Sequence, residues 1–162
     1  MEFWDAYDRE RNVQSGYLVR GEAVPVGLYH LCVNVLVRHA DGDFLFMQRS
    51  KEKELYPLYY ECGAGGSVLQ GESSLSAAYR ELKEETGLFP EKMTLLGQET
   101  FSKDQCHFDY YLAEVSSEKE RISYQKGETE SHLWLSPQDL PAFMEENQVF
   151  AHQKRFLETL LA

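Results

Sequence analysis

The chain has 162 residues, 43% of them hydrophobic, and its 27 acidic side chains outnumber 16 basic ones for a formal charge of −11. That apolar share supports the packed core of one ordinary domain and argues against a disordered chain. The acidity sets nucleic acid aside as a partner, since neutralising phosphates takes a basic face, and an anionic ligand would need local cations or a bound metal.

No apolar run approaches the roughly 20 residues of a membrane-spanning helix, so no membrane partner is expected. The opening MEFWDAYDRE is acidic and aromatic, unlike a signal peptide. Cys32, Cys62 and Cys106 are odd in number and far apart. This argues against a disulfide framework or a zinc ribbon and for a reducing, cytoplasmic compartment, with each Cys a small buried hydrophobe.

The first residues, to about position 25, read as extended pieces joined by turns, with FWDAYD as a strand and a polar turn at Arg9–Asn12. Phe3, Trp4 and Tyr7 are expected to pack on the sheet or on a second subunit, which would make a homodimer. LYHLCVNVLVR, Leu28–Arg38, is rich in β-branched and apolar residues and predicts a buried strand. The Asp41-Gly42-Asp43 turn joins it to DFLFMQRS and predicts a hairpin. A short extended piece near Tyr59–Cys62 leads into Gly63-Ala64-Gly65-Gly66, read as a tight loop whose carbonyls can point at a ligand.

Ser73–Thr86 predicts a helix, with Ser73 or Ser74 as its cap and Gly87 as its stop. At about 100° per residue, Leu75, Ala78 and Leu82 form a buried stripe with Tyr79 at its edge. Glu81, Glu84 and Glu85 form the neighbouring stripe, with small Ala77 beside them. Beyond the helix, Met93–Phe101, His107–Val115 and His132–Leu135 read as strands. Ser136-Pro137 opens a helix that runs to about Glu146, and a last amphipathic helix covers Val149–Leu161. The expectation is one α+β domain over residues 1–162, layered α/β/α around a mixed sheet, with residues 1–27 as an N-terminal extension.

Three carboxylates at i, i+3 and i+4 repel one another. One reading is a solvated acidic face that Arg80 and Lys83 partly neutralise. The other is a metal shell, because Mg²⁺ prefers carboxylate and carbonyl oxygens and pairs with substrate phosphates. The glycine run just upstream favours the second.

Residues 66–88 read GSVLQGESSLSAAYRELKEETGL. Gly66, Glu72, Arg80-Glu81-Leu82, Glu84-Glu85 and Gly87-Leu88 match the Nudix box, G-x5-E-x7-R-E-U-x-E-E-x-G-U with U a bulky aliphatic residue, at every defined position. The flanking strands and Trp134–Leu140 extend the resemblance from Leu28 to about Glu146. It implies a Nudix fold and a Mg²⁺- or Mn²⁺-dependent hydrolase that cuts the diphosphate of a nucleoside diphosphate linked to a group X. By that resemblance Glu81 and Glu85 are metal ligands, Glu84 is a ligand or base, and the Gly65 carbonyl completes the shell. Arg80 holds a ligand carboxylate in place, and Glu72 takes an outer role. Several members use a late-loop Glu as base. Glu128 is the candidate here, with Glu130 as the alternative.

The N-terminal half also resembles type 1 isopentenyl-diphosphate isomerase, through Leu28-Tyr29-His30, Gln48-Arg49-Ser50 with Lys53, and Gly71-Glu72-Ser73. That likeness implies that Arg49 and Lys53 hold a diphosphate. The isomerase pattern places Cys-Gly-His where this chain has Gly65-Gly66-Ser67, and Cys62 lies three residues upstream of the Cys position. Among its ligand histidines only His30 has a counterpart, and its late ligand acids would fall at Glu118 and Glu120 or nowhere. The ranking is therefore hydrolase first, with an isomerase-like enzyme or a non-catalytic nucleotide-binding module as alternatives. The group X is not legible. Tyr29, Tyr59, Tyr60, Phe101 and Trp134 are candidates to stack on a base, or core residues.

Overall fold

The computed structural model describes residues 1–162. Strands β1 (Phe3–Tyr7) and β2 (Val13–Val19) form an antiparallel hairpin. A mixed seven-stranded sheet holds β3 (His30–His39), β4 (Phe44–Arg49), β5 (Tyr60–Cys62), β6 (Ala64–Ser67), β7 (Lys92–Phe101), β8 (Cys106–Val115) and β9 (Thr129–Leu135). The helices are α1 (Ser74–Thr86), α2 (Leu140–Glu146) and α3 (Ala151–Leu161).

Strand alternation builds the layers. On β3, Val33, Val35 and Val37 join Leu45, Met47 and Ala113 against Ala77, Ala78 and Leu82 of α1. On the other face, Leu36, Phe44, Phe46 and Tyr110 meet Leu140 and Met144 of α2 and Leu157 of α3. The α/β/α layering is thus the period-two alternation of β3, β4 and β8, and each large apolar side chain buried contributes roughly 1.5–3 kcal/mol. The polar contact between layers is Gln153 of α3, fully buried, which accepts from the Cys62 amide at 2.8 Å and donates to Asn34 Oδ1 at 3.1 Å.

β3 runs parallel to β8, from His30 opposite Cys106 to His39 opposite Val115. The hairpin expected between β3 and β4 pairs at Arg38 and Phe44 alone. Beyond that point the strands part: β6 pairs with β3, while β5 and β9 flank β4. The glycine run is therefore not a free loop. Ala64–Ser67 is a strand, and only Gly63, at φ 84°, takes a left-handed conformation there. An added Cβ at Gly63 would lie 2.0 Å from the Val35 carbonyl oxygen, so the run is glycine-rich because β6 crosses close to β3.

Three further boundaries differ from expectation. β9 starts at Thr129 rather than His132, because pairing with β4 carries the polar Glu130-Ser131 step that strand propensity alone does not favour. Ser136 closes a turn through its bonds with Asp139, so α2 begins at Leu140 with Pro141, not Pro137, in its first turn. Leu75 and Tyr79 are exposed on α1, and Ala77, Ala78, Glu81, Leu82 and Thr86 are buried. The helix is thus turned roughly a sixth of a turn toward its acidic side relative to the apolar-stripe expectation, because its small alanines permit close approach to the sheet.

The N-terminal aromatics pack on their own chain. Trp4 stacks on His30 with ring centroids 4.5 Å apart, and the backbones of Tyr7 and Tyr29 exchange hydrogen bonds of 2.9 and 2.8 Å. Arg11, in the turn after β1, reaches the buried Asp109 at 2.6 Å and the carbonyls of Glu99 and Phe108 at 3.0 Å. Replacing Arg11 with Ala leaves Asp109 inside with only Gln98 as a side-chain donor. The expected loss is roughly 2–4 kcal/mol in urea unfolding; a variant within about 0.5 kcal/mol of the parent would show that this clamp does not tie β1 to the sheet.

Candidate active site

Helix α1 places the site. Ser73 Oγ accepts the Ser76 amide at 3.1 Å, and Gly87 ends the helix at φ 76°. Arg80 is the hub of its acidic side. Its guanidinium donates to both Glu72 oxygens at 2.8 and 2.9 Å, to Glu81 Oε1 at 2.6 Å, to Glu84 Oε2 at 3.3 Å and to the Ser67 carbonyl at 3.0 Å. Arg80 therefore clamps the segment before the helix onto the helix itself. Its hydrogen bonds hold the Glu72 carboxyl below the ordinary carboxylate range.

Glu81 points inward and lies against Gly66. A Cβ at Gly66 would come within 2.3 Å of Glu81 Oε1, so this position must be glycine for the carboxylate to sit where it does. Burial pushes the Glu81 carboxyl up to about 7, against the pull of Arg80. Glu85, one turn on, accepts the Gly65 amide at 3.3 Å. In an antiparallel strand the N–H and C=O of one residue point to the same edge, so the Gly65 carbonyl shares that edge with Glu85. Burial, then the charges of Glu61 and Glu81, push Glu85 well above the carboxylate range.

Across from Glu85, residues from β4, β5 and β9 close the site. Met47, Arg49, Glu61, Glu85, Glu128 and Thr129 line a cavity of about 20 Å³, the room of a single water or ion. Arg49 donates to Glu61 at 3.1 Å, and Lys53 pairs with Glu128. Arg49 also bonds the carbonyls of Leu55 and Tyr56 and lies 5.9 Å from the centroid of the Phe150 ring. Burial raises the Glu61 carboxyl, and Arg49 opposes that rise. Larger hollows lie elsewhere, such as one between α2 and α3 at Met144 and Leu161, but their linings bring no buried carboxylates together.

The fold gathers Gly65, Glu72, Arg80, Glu81 and Glu85 at one edge and sets Arg49, Lys53 and Glu128 beside them. Glu84 stands at the rim, its side chain 46% exposed. Glu130 is exposed and accepts the Lys51 amide at 3.3 Å. Glu118 and Glu120 are exposed, with Glu118 paired to Arg121, and neither joins the cluster. Cys62 is fully buried, with its thiol pushed up to about 12 by desolvation, so it is not placed to shuttle protons. Of the candidate stacking residues, Tyr29 lies in the core on His107, Tyr60 packs on Phe143, and Phe101 on Phe108. Trp134 donates to the Lys119 carbonyl. Tyr59 alone borders the site, in a cluster with Tyr56 and Phe150.

Sequence reasoning missed Glu61. It sits between Tyr60 and Cys62 in a three-residue strand and belongs to no motif. The signal available was a charged residue inside an otherwise apolar extended piece, which demands a partner once buried.

Gly66→Ala tests the packing of Glu81. The methyl displaces the carboxylate, and Mn²⁺ affinity is expected to fall roughly 10–100-fold, as when a metal ligand loses its support. Equilibrium binding read by electron paramagnetic resonance checks this, with circular dichroism confirming the fold; unchanged affinity would remove Glu81 from the site.

Residues 28–160 match the family model of the NUDIX domain. An uncharacterised Nudix hydrolase of Listeria innocua is 33% identical over 147 residues, covering 88% of this chain and 84% of that protein. One from Listeria monocytogenes is 29% identical over 142 residues, at the same coverages. A crystal structure from Deinococcus radiodurans superposes with a TM-score of 0.77 at 20% identity, covering 98% of both chains. The NUDIX domain of Shewanella oneidensis NrtR, solved in complex with ADP ribose, gives 0.64 at 19% identity, covering 80% of this chain and 84% of that one. The chain belongs to the NUDIX domain family, which in general hydrolyses phosphoanhydride bonds of nucleoside diphosphate derivatives with a divalent metal.

Proposed function

We propose that this chain is a Mg²⁺-dependent hydrolase that cleaves the diphosphate linkage of a nucleoside diphosphate joined to a second group X. The observation that carries the reading is the convergence of Glu61, Glu85 and Glu128 on one small, partly buried space, with Glu81 one helical turn before Glu85 and close enough for its charge to act on it. Like charges so placed are costly unless a cation offsets them. Glu81, Glu85 and the Gly65 carbonyl would hold the ion, with Glu84 at its exposed side; this all-oxygen set suits Mg²⁺ and equally Mn²⁺. When bound, the ion neutralises charge growing on the phosphoryl oxygens and acidifies an attacking water.

The remaining chemistry belongs to side chains of this protein. Arg80 fixes the Glu81 carboxylate in place. Arg49 and Lys53 take the diphosphate and in doing so release Glu61 and Glu128 from their ion pairs. Glu128, freed of Lys53, accepts the proton of the attacking water, as a carboxylate not committed to metal can. Glu72 steadies the box loop through Arg80. Tyr59, with Tyr56 and Phe150, offers a face for a planar group. ADP ribose, bound by the Shewanella domain of the same fold, makes a nucleoside diphosphate sugar a natural first substrate to try.

The same reading treats residues 1–162 as one working unit, with residues 1–27 bracing the box. The Gln70 and Gly71 amides donate to the Phe3 carbonyl and to Asp5 at 2.9 Å. Its three free cysteines suit a reducing cytoplasm, and its partner is a small molecule rather than a nucleic acid.

The test is a panel of nucleoside diphosphate sugars, dinucleotide polyphosphates, nucleotides and coenzyme A, assayed for release of phosphate or mononucleotide. Turnover of at least one compound is expected with Mg²⁺ or Mn²⁺ and none after chelation. Failure with the whole panel, together with deuterium exchange from heavy water into the allylic isomer of isopentenyl diphosphate, would replace the hydrolase with an isomerase.

A further inference from the structure

A second cluster of ligand-type side chains lies at the starts of β3 and β8, apart from the carboxylates. Parallel pairing sets His30 opposite Cys106 and Cys32 opposite Phe108. The two sulfurs, far apart in the sequence, come to 3.3 Å, and Cys32 Sγ lies 3.6 Å from His30 Nδ1. All three atoms fall within 4.8 Å of one another. Ser67 Oγ stands 3.8 Å from Cys32 Sγ.

We propose that His30, Cys32 and Cys106 bind a thiophilic divalent cation, zinc by preference, with Ser67 or a water at the fourth corner. A tetrahedral zinc with bonds near 2.3 Å to sulfur and near 2.0 Å to nitrogen spaces neighbouring ligand atoms about 3.5–3.8 Å apart. The Cys32–Cys106 and Cys32–His30 separations are already close to those edges, and a small swing of the partly exposed His30 closes the third. Trp4, stacked on His30 at 4.5 Å, limits that swing and fixes the ring plane. Two thiolates and one imidazole favour zinc over Mg²⁺, which takes oxygen, so this site and the carboxylates do not compete for one ion. On binding, both sulfurs become thiolates and their protons pass to solvent.

The cation would tie β3, β8 and β6 together one residue beyond Gly66. The Ser67 carbonyl is held by Arg80, so the staple braces the strand against which Glu81 packs.

The reduced, chelator-stripped full chain is titrated with Co²⁺ in excess Mg²⁺. Thiolate-to-cobalt charge-transfer absorption and tetrahedral d–d bands are expected, with displacement by Zn²⁺ and a rise in Tm. The all-oxygen carboxylate site produces no such absorption. The bands should vanish in Cys32→Ser and in Cys106→Ser and persist in Cys62→Ser. Should the buried variants fail to fold, His30→Gln carries the test, with cobalt affinity at least about tenfold weaker. Absence of the bands in the reduced parent, or their survival in a folded Cys32→Ser or Cys106→Ser, overturns the site. So does full affinity in His30→Gln. A parent that only forms a Cys32–Cys106 disulfide in air and takes up no cobalt when reduced is a redox pair, and that result also overturns it.

Discussion

Replacing Glu85 with Gln is expected to cost roughly two to three orders of magnitude in turnover, the scale seen when one preorganised electrostatic group is removed from an active site. At the same time it should stabilise the metal-free protein. The amide oxygen of the substituted side chain can still accept from the Gly65 N–H, so the local backbone is preserved. What disappears is a carboxyl group whose charged form is opposed first by burial and then by the charges of Glu61 and Glu81. Relief of that burial and repulsion amounts to roughly 1–3 kcal/mol at neutral pH. Steady-state kinetics on a substrate found in the panel and urea unfolding in the presence of a chelator measure the two halves. Opposite signs for activity and stability are the signature of a strained functional group. A variant with full rate, or one that loses both activity and fold, would mean that Glu85 is not held for metal.

The second large effect is a link between pH and metal. Glu81 sits at about 7 in the folded chain and Glu85 well above its ordinary value, both through burial first. For such raised carboxyls the sign is fixed. Below the unfolded value, about 4.5, both states carry the proton and the contribution to stability is fully present. As pH rises through the folded value, the unfolded chain has already released its proton, and stability is lost. For Glu81 alone the loss reaches about 3 kcal/mol between those two values. The histidines act the other way. His152 is lowered to about 4, and His107 and His132 are also lowered, all by burial first, so they favour the fold as pH rises toward 6.5. None of them lies in the carboxylate cluster. The difference in unfolding free energy with and without Mg²⁺ therefore isolates the carboxylates. It is expected to widen as pH rises from about 4.5 to beyond 7 and to shrink in Glu81→Gln and Glu85→Gln. A difference that stays flat across this range would show that cation and proton do not share those oxygens.

The helix and its cap and stop were legible from local chemistry, because Ser73, the i, i+3 and i+4 acids and Gly87 act within a turn or two of one another. The partners of those acids were less so. Arg80 was expected to steady one carboxylate, yet it holds three and the Ser67 carbonyl besides. The expected apolar stripe included Leu75, which the structure leaves at 46% exposure, because a helical wheel ranks hydrophobicity and ignores how close a sheet can approach. Ala77 and Ala78 set that approach, and it carried Glu81 inside. The Gly63–Gly66 run signalled an unusual backbone path, but only the β3–β6 crossing reveals a strand and the carbonyl contact that excludes a side chain at Gly63.

The sequence by itself determined the α+β class, the family and the acids of the box helix, since these depend on residue spacing along a single element. Only the tertiary structure decided which groups share a space. Glu61 meets Glu85 because β5 pairs with β4, placing Glu61 opposite Met47. Glu128 faces them because β9 pairs with the other edge of β4. Cys32 meets Cys106 because two strands run parallel across a long stretch of intervening chain. Strand pairing is non-local, and its register is chosen by the whole core rather than by the residues being paired. Cross-strand neighbours therefore leave no mark on the local sequence that brings them together.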